Sequence, residues 1–302
     1  MIALPKKTLL TYAVILIVGI VCVYAVSALR TVPAQFPVGT TFTINENESL
    51  RAVSKQLEDE HIIFSAFIFR IWVSFINKDR HVQLGVYEFP TALTLEGIVK
   101  KLVFTGPDHP LLQVTIPEGS TTREIVENII TVVPNLSLEK LLAIISSRTA
   151  NGRLFPSTYF LLPSVTEEKV IDTMMMTFDT AYSTHFSHSP IPILLAKQNN
   201  VIILASILEG EAKTPEDMKI VAGILLKRLR LGMPLQVDVA KETYIKKGLP
   251  KVPINNPGLT SLEAALYPTP SEYLYYITGK DGTMYYAKTF EEHKKNIKNH
   301  LR

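Results

Sequence analysis

Two carboxylates stand two residues apart in "VIILASILEGEAKTPEDM", where Glu209 and Glu211 close an uncharged run from Val201 to Leu208. If that run is helical, Ile202, Ala205 and Ser206 share a face with Glu209, at offsets of seven, four and three residues. An apolar setting of that kind desolvates a carboxyl group and favours its protonated form. A protonated carboxyl is what a general acid working near neutral pH requires. The same spacing also fits a helix-end carboxylate in solvent, and periodicity alone leaves both readings open. Gly210 permits a turn that would bring Glu211 round to the same side.

Other residues could serve such a site. In "MPLQVDVA", Gln236 and Asp238 alternate, which puts both on one face of an extended segment within reach of a polar ligand. "PINNPGLTSLEAALYPTP" offers Asn255, Asn256, Pro257 and Gly258, which is turn chemistry first, followed by Ser261 as the cap of a short helix. His185 and His188 lie three apart in a polar loop without carboxylates at ligand spacing, so no metal site is expected. No phosphate-binding glycine loop and no nucleophile elbow occurs, and no cofactor is implied. Tyrosines are plentiful in the C-terminal half, and their faces suit sugar rings as well as ordinary strands.

Those residues need a scaffold. Thr41 to Ile44 reads as a strand, Ser49 caps a helix to about Glu60, and a more apolar helix with Trp72 runs from Ser65 to about Asn77. Val82 to Pro90 alternates as a strand, and Thr94 starts a helix that stops before Gly106. A second unit opens with a strand at Leu111 to Ile116 and a helix capped by Thr121. A helix follows from Leu136 to Ser147, and "RLFPSTYFLLP" then reads as a buried strand or extended loop. Ser164 with Glu167 forms a capping-box pattern before a long helix to about Ser183. Short apolar helices are expected over Pro190 to Gln198 and Val201 to Glu209. Thr214 and Pro215 start a helix that stops at Gly232. A hairpin turning at Lys280 to Gly282 and a helix from about Phe290 to Arg302 complete an α+β chain.

The N-terminus carries a separate signal. Lys6 and Lys7 precede an apolar run from Thr8 to Leu29, long enough at about 33 Å to cross a bilayer core. The lysines place residues 1–7 in the cytoplasm and the rest of the chain outside it. A cleaved signal peptide is the competing reading, but the run exceeds a usual signal core. Residues 30–39 then read as a linker. A net charge of +3 gives no case for nucleic acid, and the single cysteine, Cys22, excludes an intrachain disulfide framework.

Nine pieces in order resemble the MltG/YceG-like endolytic murein transglycosylases, over roughly residues 8 to 300. They are the N-terminal anchor, "GVYEFPTALTLEGIVKKLVFTG", "VTIPEGSTTREI", "LFPSTYFL", "LASILEGEA", "VAGILLKRLRLGMPLQVD", "KGLP", "INNPGLTSLEAALYPTPSEYLYYI" and "AKTFEEH". The resemblance implies a LysM-like βααβ module over 40–108 and a YceG-like catalytic domain over 109–302. It implies an enzyme that cleaves MurNAc–GlcNAc β-1,4 bonds in nascent peptidoglycan strands and leaves 1,6-anhydro-MurNAc ends, terminating glycan polymerisation. Its catalytic glutamate falls on Glu209. Ser206 and Glu211 would shape the pocket, Gln236 and Asp238 match its "L-Q-x-D", and Asn256, Tyr159 and His293 would be cleft or support residues. Implied partners are glycan strands, the membrane, and peptidoglycan synthases of the penicillin-binding type, with the catalytic domain extracytoplasmic at the cell membrane. Val239-Ala240 stands where the pattern has proline-threonine, and the segment from Asp238 to Thr243 is shorter than usual. Asn151-Gly152, followed by Arg153, replaces an acidic residue and glycine. A muramidase-type hydrolase and a non-catalytic, membrane-anchored glycan-binding scaffold are the alternative readings.

Overall fold

The computed structural model describes residues 15, 16, 27, 29–45, 48–76, 82–186, 195 and 197–301. The expected transmembrane helix over 8–29 and the apolar helix over 190–198 fall largely outside them. Among the described residues, no helix is long and apolar enough to cross a membrane. The chain divides into two compact units, Met1–Leu112 and Gln113–Arg302.

The first unit has the expected order of strand, helix, helix, strand. Strand β1 (Thr41–Ile44) pairs antiparallel with β2 (Gly85–Glu88), with Phe42 opposite Tyr87. Helix α1 (Leu50–Asp59) starts where the Ser49 hydroxyl accepts from the Ala52 N–H, and α2 (Ala66–Ile76) packs against it. Helix α3 (Leu95–Val99) starts at the Thr94 cap and widens into a π-turn from Lys100 to Thr105. Phe42, Leu57, Phe69, Tyr87, Phe89 and Leu102 bury completely between these elements, and that apolar burial is what the four-residue strands depend on.

In the second unit, β3 (Leu112–Thr115) pairs with β4 (Thr158–Leu161), so "TYFL" is a strand. Helix α4 (Thr122–Val132) has a complete capping box between Thr121 and Glu124, and α5 (Leu138–Ser147) is capped by Ser137. Helix α6 (Glu167–Phe186) begins differently from its sequence pattern. The Thr166 hydroxyl, not Ser164, accepts the Lys169 N–H, because the Glu167 carboxylate is taken by the Ser137 N–H.

The core of this unit is α7 (Gln198–Glu211), whose residues from Val201 to Leu208 are all buried. It is wrapped by α8 (Pro215–Arg230) and α9 (Leu259–Leu266). Helix α8 carries its start and stop signals: the Thr214 hydroxyl accepts from the Asp217 N–H, Pro215 opens the first turn, and Gly232 follows the end in the left-handed conformation. Gly223 on α8 lets the carbonyl of Thr269 approach to where a side chain would begin, since an added Cβ would sit 1.9 Å from that oxygen.

Strands β5 (Tyr275–Thr278) and β6 (Met284–Ala287) form an antiparallel hairpin, with Tyr276 opposite Tyr286. Three contacts fasten the hairpin to α8. The Tyr286 hydroxyl donates to Asp217, the Lys227 ammonium to the Glu272 carbonyl at 2.6 Å, and the Arg228 guanidinium to the Leu274 carbonyl at 3.5 Å. Helix α10 (Phe290–His300) lies against both strands.

Candidate active site

Glu209 and Glu211 both belong to α7, which continues straight through Gly210. Gly210 is therefore not a hinge. Its role is space: an added Cβ would lie 2.6 Å from a Val239 methyl carbon. Two residues along a helix turn the side chain through roughly 200°, so the two carboxylates face different walls.

Glu209 faces the loop before α9. One of its oxygens accepts from the Gly258 N–H at 2.9 Å and from the Ser261 hydroxyl at 2.6 Å. Ser261 is thus an internal residue of α9, not its cap, and Gly258 occupies the cap position. Beside this contact lies Glu118, a residue that the sequence motifs did not single out. An added Cβ on Gly258 would fall 2.0 Å from a Glu118 carboxylate oxygen. Burial, then the charge of Glu209, push the Glu118 carboxyl above the ordinary carboxylate range.

Glu211 faces the other way, into a cavity of about 440 Å³ that it shares with Arg228, Gln236, Asp238, Tyr275 and His293. Its carboxylate accepts from the Val239 N–H at 3.3 Å and from the Tyr276 hydroxyl at 3.1 Å. Burial nevertheless outweighs these bonds and raises the Glu211 pKa, and the nearby charge of Asp238 adds to the rise. Glu211 and Glu209 also border a second, smaller hollow of about 260 Å³.

The remaining cavity walls are polar and aromatic. Asp238 accepts the Tyr244 hydroxyl at 2.6 Å, a bond that pushes the Tyr244 pKa up to about 12. Arg228 is 4% exposed, donates to the Gln236 side-chain oxygen, and sits 5.7 Å from the Tyr275 ring. Burial lowers its pKa. His293 stacks on Tyr275 with ring centres 5.1 Å apart, and burial followed by the charge of Arg228 favours its neutral form. Sequence reasoning missed Arg228 and Tyr276. The signal for Arg228 lay in its spacing, because Val221, Ile224, Leu225 and Arg228 recur on the buried side of α8.

Three expected site residues support this arrangement from below. The buried Ser206 hydroxyl accepts the Ile254 N–H at 3.0 Å and donates to the Ile203 carbonyl at 2.8 Å. Asn256, fully buried, accepts the Leu154 N–H at 2.8 Å and donates to the Ser120 carbonyl at 3.1 Å. Tyr159 donates to the Phe155 carbonyl. Ser206, Asn256 and Tyr159 fix loops, whereas Glu211, Gln236, Asp238 and His293 meet in one cavity and Glu209 stands apart from it. Among the described residues, no cluster of His, Cys, Asp or Glu could hold a metal ion.

The site thus consists of a desolvated carboxyl beside a second carboxylate, in a cavity walled by tyrosine and histidine rings within an α+β unit. The chain belongs to the YceG-like family, which it matches over residues 42–241 and 242–299. It is 26% identical to the endolytic murein transglycosylase of Streptococcus pneumoniae D39, across 92% of this chain and 61% of that protein. The Bacillus subtilis 168 protein of the same name is also 26% identical, across 93% of this chain and 90% of its own length. The chain thus spans less than two thirds of the pneumococcal relative. A solved YceG-like protein from Listeria monocytogenes superposes with a TM-score of 0.52 at 28% identity, covering 85% of this chain and 98% of that one.

Proposed function

We propose that the chain is an endolytic peptidoglycan lytic transglycosylase whose single acid–base group is Glu211. The carrying observation is the placement of Glu211: desolvated, held by Val239 and Tyr276, and facing the cavity that also holds Gln236, Asp238 and His293. The sequence pattern gives that role to Glu209, which does not line this cavity and whose carboxylate accepts from Gly258 and Ser261 instead. The two relatives that are endolytic murein transglycosylases support the reaction class.

In this reaction the Glu211 carboxyl gives its proton to the leaving glycosidic oxygen between MurNAc and GlcNAc as the bond to the anomeric carbon breaks. The resulting carboxylate takes the proton of the muramyl 6-hydroxyl, whose oxygen bonds that carbon and closes the 1,6-anhydro ring. One carboxyl thus completes the proton cycle without water. Asp238 and Gln236 orient the sugar, and the stacked Tyr275 and His293 rings wall the cavity beside it. The apolar run over 8–29 would anchor the chain in the cell membrane with this site outside the cytoplasm. There the βααβ module, in a LysM-like role, would hold strands emerging from the synthases.

The test is incubation of the detergent-solubilised chain with peptidoglycan, followed by analysis of the new ends. Anhydro-muramyl ends from the wild type, and none from Glu211→Gln, are expected. Reducing ends would instead mark a hydrolase, with Asp238 as the second carboxylate of the same cavity. Strand binding without cleavage would mark a scaffold.

A further inference from the structure

One wall of the cavity has donors that lack acceptors. Arg228 is almost wholly buried, yet among the described residues its Nε–H has no partner. A terminal guanidinium nitrogen of Arg228 contacts the Gln236 side-chain amide. A guanidinium only donates, so the amide atom facing it must be the carbonyl oxygen. The amide NH2 of Gln236 is thereby turned away from Arg228, and among the described residues nothing accepts from it. Gln236 itself has a φ of 52°, a conformation that residues with side chains rarely adopt. It is held there by its N–H bond to the Thr243 carbonyl at 3.2 Å.

The same cavity is also lined by carboxyl groups, those of Glu211 and Asp238. An anionic ligand would gain from Arg228 but meet the carboxylate of Asp238. A neutral ligand with one strong acceptor for the Arg228–Gln236 pair and hydroxyl donors for the carboxylate suits the cavity better. On the reading that the ligand is peptidoglycan glycan, the strong neutral acceptor available is an amide carbonyl. We infer that Gln236, locked in orientation by Arg228, donates to the acetamido carbonyl of the bound amino sugar and makes N-acetylation of the glycan a condition of cleavage. Arg228 is a positioning residue in this scheme, because it acts through Gln236. A de-N-acetylated sugar would present an ammonium donor to the Gln236 donor, leaving both groups unpaired.

The experiment compares kcat/KM for anhydro-muramyl end formation by the full chain on two matched strands, one N-acetylated and one chemically de-N-acetylated. Re-acetylation of the second strand serves as control. The wild type should favour the acetylated strand by about a hundredfold or more, since a site built around one hydrogen bond rejects a ligand lacking it. Gln236→Glu keeps an oxygen for Arg228 and turns a second acceptor into the cavity. It should cut that preference by at least about tenfold, the effect of roughly one charge-assisted bond. Arg228→Lys should also lower the ratio, which a merely structural defect that slowed both strands alike would not do. Thermal melting establishes that each variant is folded, and Gln236→Met serves if Gln236→Glu does not fold. Equal cleavage of both strands by the wild type, or an unchanged ratio in folded variants, overturns the inference. Absence of anhydro ends from even the acetylated strand overturns the glycan reading, and this inference with it.

Discussion

The backbone N–H of Val239 points at Glu211, 3.3 Å from a carboxylate oxygen, at a position where the resembled sequence pattern has proline. Proline has no N–H, so this chain gives its candidate acid a donor that the pattern lacks. Such a donor favours the ionised form and works against the burial that raises the Glu211 pKa.

Val239→Pro should therefore raise the Glu211 pKa further. A general acid is lost as pH rises through its pKa, so the alkaline limb of kcat/KM should move to higher pH in the variant. Tyr276→Phe removes the other donor and should move the limb in the same direction. A limb that stays put, or moves down, would show that Glu211 is not the acid being titrated. The linked stability effect has a definite sign as well. The native chain binds the Glu211 proton more tightly than the unfolded chain, whose value lies near 4.5, so this contribution to stability is lost as pH rises above that value.

Glu211→Gln and Glu209→Gln separate the two carboxylates. Loss of the acid should lower kcat by about 10²- to 10⁴-fold, with little change in melting temperature. Glu209→Gln should retain most of the activity and lose about 1 kcal/mol of stability, because a neutral amide oxygen accepts from Gly258 and Ser261 less strongly than a carboxylate. Steady-state kinetics beside denaturant titration distinguishes the cases. The reverse pattern would return the catalytic role to Glu209.

Much of the scaffold was legible because it follows local rules. Ser49, Thr94, Thr121 and Thr214 each cap the helix that their sequence context promised, and Gln236 and Asp238 both line one cavity, although the positive φ of Gln236 breaks the extended alternation that the sequence suggested. The site was legible only to the level of the motif. Whether Glu209 or Glu211 enters the cavity depends on where α7 ends, and Gly210 reads as a breaker when it is a point of close approach to Val239. Arg228 stands in "LLKRLR" beside Lys227 and Arg230, so charge composition alone does not mark it as the buried member of the three. Glu118 and Glu209 lie 91 residues apart in sequence, and their meeting at Gly258 is a long-range fact with no local signature.

Gly223 tests the packing that carries the site. The Thr269 carbonyl lies where its side chain would begin, and the Thr269 N–H donates to the Lys219 carbonyl at 3.0 Å. Alanine is the better helix former, so propensity alone would make Gly223→Ala stabilising by about 1 kcal/mol. The clash is with backbone, which cannot rotate aside, and overpacking of that kind costs about 1 to 3 kcal/mol. The expected net result is a lower melting temperature. An unchanged or raised melting temperature would mean that the loop after α9 can move away from α8 freely.

Glu118 and Glu209 supply the last prediction. The raised pKa of Glu118 means that the folded chain holds this proton more tightly than the unfolded chain, so folding is favoured most at low pH. As pH rises from the ordinary value of 4.5 through the raised one, Glu118 ionises beside Glu209 and that stability is lost. Glu118→Gln removes the titrating group and the like-charge contact together. The variant should match or exceed the wild type in stability at neutral pH, and its stability should fall less steeply with pH across that window. Denaturant titrations at several pH values give both slopes. Equal slopes would show that neither burial nor Glu209 raises the Glu118 pKa in the folded chain, and Glu118 would then act on the Glu209 wall through shape alone.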